Sequence, residues 1–209
     1  MAAHPTFRRI VVGLSCQRSS PGDGMRLATE MAQLLHLDLF GLFVQEEHLF
    51  GIASLPLSRE FKILGGEWRP FEPGQLAREL EAVANRAQRA LNEAARNLQT
   101  ACRFEVVRGS MAESIAAVSS AEDIILLTEP AGAAEFATPS FAILKAAFQS
   151  AAAVLLVPRR IARSRGPVVA IAREPDDRSV AAARAIAVAA KEELVVVELF
   201  ASAGGSASL

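Results

Sequence analysis

Short apolar runs alternate along the chain with longer segments in which apolar residues recur every three or four positions. The first run, residues 10–14, is rich in β-branched residues and precedes the polar segment 15–24, a pattern typical of a buried strand that ends in a turn. Helical spacing follows over residues 25–35, and a second apolar run covers residues 37–44. This order predicts a βαβ unit.

The alternation continues as far as residue 158. One apolar stripe runs over residues 76–98, with charged side chains on most of the remaining surface, and it predicts a long amphipathic helix. Further runs predict strands at 104–107, 123–127 and 153–157, and helices at 110–119 and 140–150. Five strands that alternate with helices predict an α/β fold: an open, mostly parallel, five-stranded Rossmann-like sheet with helices on both faces.

Residues 46–74 interrupt this alternation. They have no sustained hydrophobic period, and they contain three prolines and four glycines, including the pair Gly65 and Gly66. Their length is unusual, because a strand-to-helix connection usually has about 2–6 residues. We interpret the segment as an insertion or lid. Trp68, the one tryptophan of the chain, is either the tip of a lid that contacts a partner or part of an ordinary packed loop.

A second unit follows a basic segment. An ungapped shift that moves residue 11 onto residue 168 places Val12 on Val169 and Leu42 on Leu199, which we interpret as an internal repeat. Its predicted elements are a strand at 168–172, a helix at 179–191 and a strand at 194–200. The predicted organisation is therefore a domain over 1–158, a linker over 159–167, and an incomplete second copy, a partial βαβ unit with a flexible tail, over 168–209.

Composition and charge exclude several classes of protein. With 22 basic and 23 acidic residues and a net charge of -1, the chain has no strongly basic face, so we expect no nucleic-acid partner. Two cysteines and three histidines are too few for a disulfide framework or the usual zinc site, which favours a reducing cytoplasm and no metal. No apolar stretch approaches the ~20 residues that span a bilayer, so we expect no membrane span.

Three segments, in their order, resemble the universal stress protein family. They are residues 9–15, 106–115 and 153–158, and the Val-Leu-Leu-Val-Pro sequence that ends the last segment is the most specific match. The resemblance covers about residues 7–158, and the repeated start at Val168 is similar to the tandem members of the family. It implies a role in stress response and a homodimer that pairs through an edge strand containing Val154, Leu155, Leu156 and Val157.

The resemblance also implies the positions of an ATP pocket. They are Gly13, Ser15, Val44, Gly109, Leu127, Thr128, Ala131, Gly132 and Ser140. ATP-binding members carry an aspartate where this chain has Ser15, and glycines where it has Thr128, Ala131 and Ser140 or Phe141. Pro130 lacks an N–H donor, and Glu129 and Glu135 add negative charge where phosphates would lie. We therefore expect no ATP and no other cofactor.

The remaining candidate residues have simpler explanations. Ser110 and Glu113 have the spacing of a capping box, which explains them without a bound anion. Cys16 is either a reactive thiol or an inert one. Glu46, Glu47 and His48 suggest a metal or acid–base site, but one histidine beside two acids falls short of a ligand set.

We therefore expect no catalytic residues. The preferred hypothesis is a non-catalytic universal-stress-protein-like module that acts through dimerisation and contacts with an unidentified protein. The alternative is a sensor of small molecules or adenine nucleotides, or a weak ATPase, that uses the crevice at the strand ends.

Overall fold

The computed structural model describes residues 7–15, 22–62, 65–128, 139–157, 166–174 and 176–199. Within these residues the strands are β1 (Arg9–Ser15), β2 (Asp38–Glu46), β3 (Arg59–Lys62), β4 (Glu67–Pro70), β5 (Cys102–Gly109), β6 (Asp123–Thr128), β7 (Ala153–Val157), β8 (Val168–Ala172) and β9 (Leu194–Glu198). The helices are α1 (Gly22–Leu35), α2 (Glu47–Ala53), α3 (Pro73–Asn97), α4 (Met111–Val118), α5 (Pro139–Gln149) and α6 (Arg178–Ala190). None of these helices is long and apolar enough to cross a membrane.

Five of the strands form one parallel sheet in the order β5-β2-β1-β6-β7. The predicted α/β fold is therefore confirmed. The central strands have almost continuous apolar sequences because both of their faces are covered, as is usual in parallel sheets. In β1, Ile10 and Val11 are both fully buried although their side chains lie on opposite faces.

Helices cover both faces of this sheet. Ile10, Val12 and Leu14 pack with residues of α1 and α3, whereas Val11 packs with residues of α4 and α5. The period of two along β1 thus divides the core into two layers.

The predicted insertion contains regular structure. It begins with α2 and continues with the antiparallel hairpin β3–β4, and α3 begins at Pro73, three residues before the predicted start. Hydrophobic periodicity missed the hairpin because each four-residue strand has a single large apolar side chain, Phe61 or Trp68, which is too few to show an alternation, while the opposite face is charged. On that face Arg69 binds both Glu60 and Glu79 of α3, and Lys62 lies 3.2 Å from Glu79.

The second unit, β8–α6–β9, packs against the first. Asp177 caps α6 by accepting a hydrogen bond from the Ser179 N–H at 2.9 Å, and Ala182 joins the core cluster of the first unit. The apolar sequence of this unit predicts that it docks one helix face on the first unit or on a second chain rather than staying loosely ordered. That face consists of Ala182, Ala185, Ile186 and Ala189. The structure shows docking within the chain. The buried face of α6 differs in part from the expected one, since Ala183 and Ala187 are buried and Ala185 is half-buried.

The ungapped repeat alignment matches residues of β1 and β8 that lie on different faces of their strands. It puts Val12, which faces α1, on Val169, which is 58% exposed, whereas the residues of β8 buried beneath α6 are Ala170 and Ala172. A shift of one residue in a strand moves every side chain to the other face. The repeat itself, the domain limits and the linker remain predictions, and residues 159–165 and 200–209 lie outside the described residues.

Two contacts show how the second unit is oriented. The Arg173 guanidinium, just after β8, donates to the Phe148 carbonyl at 2.6 Å, and Arg178, at the start of α6, donates to the Ala121 carbonyl at 2.6 Å. Both carbonyls precede strands of the main sheet, so the carboxyl end of β8 lies at the amino edge of that sheet.

Candidate functional site

The predicted pocket lies where β1 and β6 separate. These strands pair from Arg9 with Asp123 to Val12 with Leu126, yet β1 continues to Ser15 and β6 to Thr128. This is the point where the strand order reverses, and such switch points are where open α/β sheets bind ligands. The topology therefore brings the ends of β1, β2, β5 and β6 to one edge, as the sequence predicts.

Several predicted pocket residues are packed into the protein interior. Val44 has no exposed surface and Leu127 is 6% exposed. A Cβ on Gly13 would lie 3.1 Å from Sδ of Met111 and 3.4 Å from Cδ1 of Ile115. Gly13 therefore lets α4 approach β1 closely, and at this position the sheet is covered by a helix.

The other predicted pocket residues lie at the same edge or outside the described part. Gly109 ends β5 with φ +152, a conformation that favours glycine. The backbone places Ser15, Thr128 and Ser140 at the end of β1, the end of β6 and the start of α5. Their side chains lie outside the described residues, as do Cys16, Glu129, Pro130, Ala131, Gly132 and Glu135.

Ser110 acts as a helix cap. Its Oγ accepts a hydrogen bond from the Glu113 N–H at 3.2 Å, and its carbonyl accepts one from the Ser114 hydroxyl at 2.8 Å. This is the Ser110 part of the predicted capping box. The structural explanation of Ser110 is therefore confirmed.

Glu46 and His48 form a small polar cluster at the end of β2. Glu46 is 7% exposed, and its Oε2 lies 3.5 Å from Nδ1 of His48. Burial raises the pKa of Glu46, and the charge of His48 and a hydrogen bond from it act in the opposite direction. Among the described residues no three His, Cys, Asp or Glu side chains come together in a way that could hold a metal ion.

Comparison with known proteins gives a likeness in structure. No family model matches the chain, and neither does any curated protein. The chain is similar to the crystal structure of a protein from the universal stress protein family from Burkholderia pseudomallei. The two are 16% identical, and the match covers 73% of this chain and 96% of that chain with a TM-score of 0.48. We assign the fold from the order and register of the strands in the sheet.

A groove at the opposite, amino edge of the sheet was not predicted. It has a volume of about 710 Å³, and its lining includes Arg8, Arg103 and the pair formed by Arg9 and Asp123. Arg9 donates from Nε to Oδ1 of Asp123 at 2.8 Å and from Nη2 to the Val118 carbonyl at 2.7 Å. Its guanidinium also lies 4.7 Å from the centre of the Phe40 ring.

The polar groups at the base of this groove satisfy one another. Oδ2 of Asp123 accepts from the Ser120 N–H at 2.7 Å and from Arg9 Nη2 at 3.1 Å. Burial opposes ionisation of Asp123, but these hydrogen bonds and the charge of Arg9 hold its pKa below the usual value. These hydrogen bonds join β1 to β6 and to the end of α4, so we interpret Arg9 and Asp123 as a structural ion pair. In the sequence, this ion pair is marked by a charged residue directly before each of two apolar runs: Arg9 before residues 10–14 and Asp123 before residues 124–127.

The predicted dimer strand, β7, lies at one edge of the sheet. Leu156 is 42% exposed, Val154 and Leu155 are half-buried, and Val157 is buried. The Val154 N–H donates to Oγ of Ser179 in α6 at 3.5 Å, so the second unit occupies part of this edge. Pairing of two chains through β7 remains a prediction.

Proposed function

We propose that this chain is a non-catalytic module of the universal stress protein kind, which acts in a cytoplasmic stress response through dimerisation and contacts with another protein. On this proposal it binds no ATP. The observation that carries the proposal is the packing of Met111 and Ile115 against Gly13, together with the burial of Val44 and Leu127. These positions would otherwise line the pocket, and here they contribute to a packed core.

The sequence directly after β6 supports the same conclusion. A triphosphate is held by converging backbone N–H groups and positive potential. Residues 129–135 instead include Pro130, which has no N–H, and the acidic Glu129 and Glu135. Ser15 replaces the aspartate of ATP-binding relatives, so both ends of the nucleotide lose expected partners.

A titration of the 209-residue chain with Mg-ATP tests the proposal. We expect no heat of binding by calorimetry and no shift in thermal unfolding at millimolar nucleotide. A ligand present at 100 times its Kd would stabilise the fold by about 2.7 kcal/mol, which is easily detected. Ser15→Asp serves as the matched variant, and we expect that it fails to create binding because Glu129, Pro130 and Glu135 are unchanged. A micromolar Kd for the unmodified chain would contradict the proposal.

The alternative function is a nucleotide sensor or weak ATPase. It is favoured by one observation, the separation of β1 from β6 after Val12, which is the position of ligand crevices in related architectures. Titration with AMP and cyclic nucleotides, with phosphate release followed in parallel, distinguishes the two functions. Saturable binding of any of these nucleotides supports the sensor, and phosphate release supports the ATPase.

A further inference from the structure

The groove at the amino edge of the main sheet, which we call the amino-edge groove, has balanced charge. Among the described residues, three arginines and three carboxylates line its volume of about 710 Å³. Four of these six groups form two ion pairs: Arg9 binds Asp123 at 2.8 Å, and Arg8 lies 3.5 Å from Glu122. One arginine and one carboxylate of the groove are left over.

The two remaining charged residues of the groove are Asp38 and Arg103. Both are exposed, and within the described part of the chain neither forms an ion pair or a side-chain hydrogen bond. Arg103 pairs with Phe40 in the register of β5 and β2. Asp38 lies two residues before Phe40 on the same strand, so all three side chains point to one side of the sheet. An unpaired carboxylate and an unpaired guanidinium therefore stand on neighbouring strands, beside the ring of Phe40.

Arg9 adds further hydrogen-bond donors at the base of the groove. Its Nε and Nη2 groups donate to Asp123 and to the Val118 carbonyl, but its Nη1 group donates to no residue in the ranges that the structure describes. Arg9 pairs with Asp38 in the register of β1 and β2, so its side chain lies on the same side of the sheet. A guanidinium holds its N–H donors in one plane, which suits a carboxylate.

We propose that the amino-edge groove binds a free α-amino acid. Arg103 and Nη1 of Arg9 bind its carboxylate, and Asp38 binds its ammonium group. A simple anion would place negative charge beside Asp38, and a simple cation would place positive charge beside Arg103, and like charges in contact oppose binding. A zwitterion satisfies both residues.

The size and position of the groove agree with such a ligand. Its volume of about 710 Å³ lies within the ~300–1,000 Å³ of small-molecule sites, so the side chain of any standard amino acid has room. Arg9 joins the groove to β6 and to the end of α4. A ligand held by Arg9 should therefore stabilise the folded sheet and raise its Tm.

Calorimetric titration of the full chain with each of the standard amino acids tests the proposal. We expect at least one of them to bind saturably with a Kd below about 1 mM and to raise the Tm. Its α-amide keeps only the positive charge, and its deaminated analogue keeps only the negative charge. Each analogue should bind about ten times more weakly or worse, because one charged group of the groove loses its partner. Absence of saturable binding for every amino acid overturns the proposal.

Charge-removing variants locate the binding. Arg103→Gln and Asp38→Asn should each weaken it about tenfold or more, and Arg103→Lys, which keeps the charge but loses the planar donors, should weaken it less. Arg89→Gln and Glu93→Gln remove the same charges from exposed positions of α3 and should leave the Kd unchanged. Circular dichroism verifies that each variant is folded. Equal affinities in the groove variants and the α3 controls would mean that the amino acid binds elsewhere, and would overturn the proposal.

Two further results separate this site from the alternatives. If the deaminated analogue binds as tightly as the amino acid, the groove is a simple anion site and the role given to Asp38 is wrong, which overturns the proposal. Mg-ATP binding would instead refute the proposed function. It would leave the amino-acid titrations unaffected, because the predicted nucleotide pocket lies at the opposite, carboxyl edge of the sheet.

Discussion

Arg9 shows how one side chain links two strands that are far apart in the sequence. It occupies the first paired position between β1 and β6, opposite Asp123, and binds that carboxylate through two nitrogens at 2.8 and 3.1 Å. The side chain of Asp123 is 2% exposed and that of Arg9 is 27% exposed. A buried carboxylate needs such a partner, because an unpaired charge in the interior is costly.

Replacing Arg9 tests this dependence. Arg9→Met should reduce the free energy of unfolding by about 3–5 kcal/mol, because it leaves Asp123 buried without its cation. The double variant Arg9→Met/Asp123→Asn should recover part of that loss, since no charge is then left unpaired. Urea unfolding at pH 7 measures both values. Equal stability of the single and double variants would show that the pair contributes through packing alone.

The same pair should make stability depend on acid. Although burial opposes ionisation, hydrogen bonds from Arg9 and Ser120 hold the folded-state pKa of Asp123 below its ordinary value of 3.8, so the contribution of this pair is present above that value and is lost as the pH falls through the lower folded value. Arg9→Met should flatten this part of the stability curve. Unfolding free energies measured across this acidic range in both proteins provide the comparison, and parallel curves would contradict the assignment.

Gly41 shows a steric requirement at a single position. A Cβ there would lie 2.4 Å from Cδ2 of Leu91 and 2.9 Å from Cδ2 of Phe104, so Gly41→Ala should destabilise the fold by about 1–3 kcal/mol through overpacking. Gly51, inside α2, has no atom within 4 Å of the same position, so Gly51→Ala should stabilise it by about 0.5–1 kcal/mol. Thermal unfolding of both variants checks whether the two effects have opposite signs.

At the scale of elements, the β3–β4 hairpin presents its charged face to α3 and its aromatic face to solvent. Phe61 and Trp68 pair across the strands with ring centres 5.3 Å apart, and they are 48% and 61% exposed. Glu79 accepts from Lys62 at 3.2 Å, from Arg69 at 2.8 Å and from Gln75 at 3.1 Å. The hairpin is therefore attached through exposed ion pairs, which are individually weak.

Glu79→Ala should detach the hairpin without unfolding the sheet. We expect a change of about 1 kcal/mol or less in global stability, together with greater quenching of Trp68 fluorescence by acrylamide. Trp68 reports on the hairpin alone because the sequence contains one tryptophan. Glu81→Ala, two residues further along α3, is the control and should leave the quenching unchanged. An unaltered signal in Glu79→Ala would mean that other contacts hold the hairpin.

At the scale of the whole molecule, α6 joins the two units. Ala182, 5% exposed, shares a core cluster with Ile124, Ala153 and residues of α1. The strands β8 and β9 make no hydrogen-bonded pairs with the main sheet among the described residues. The second unit should therefore open before the first, as weakly connected segments generally do.

Ala182→Glu should release the second unit while the first remains folded. The substitution buries a charge between α6 and the main sheet, so we expect hydrogen exchange at Val195 and Val197 to accelerate strongly while the amides of β1 stay protected. Val188→Glu, at a position that is 74% exposed on the same helix, should leave both sets of rates unchanged. Accelerated exchange throughout the sheet would show that the two units unfold as one.

The layered architecture follows from patterns that are local in the amino-acid sequence. The five parallel strands, the long amphipathic α3 and the Ser110 cap all followed from the spacing of neighbouring residues. Such features depend on local geometry, since a strand repeats every two residues, a helix every 3.6, and a cap side chain reaches three positions along its own backbone. The alternation of strands and helices also implied that β1, β2, β5 and β6 end at one edge of the sheet, because parallel strands bring their carboxyl ends together. The pocket positions themselves came from the family resemblance and remain predictions.

Tertiary structure alone decided which surfaces are covered. Arg9 and Asp123 are 114 positions apart, the outward face of the hairpin depends on Glu79 in another element, and the phase of β8 depends on the face that α6 covers. Met111 likewise fills the space beside Gly13 because α4 crosses β1 at that point. Each outcome requires that segments distant in sequence meet in a particular orientation, and a hydrophobic pattern records that a side chain is apolar without recording what it packs against.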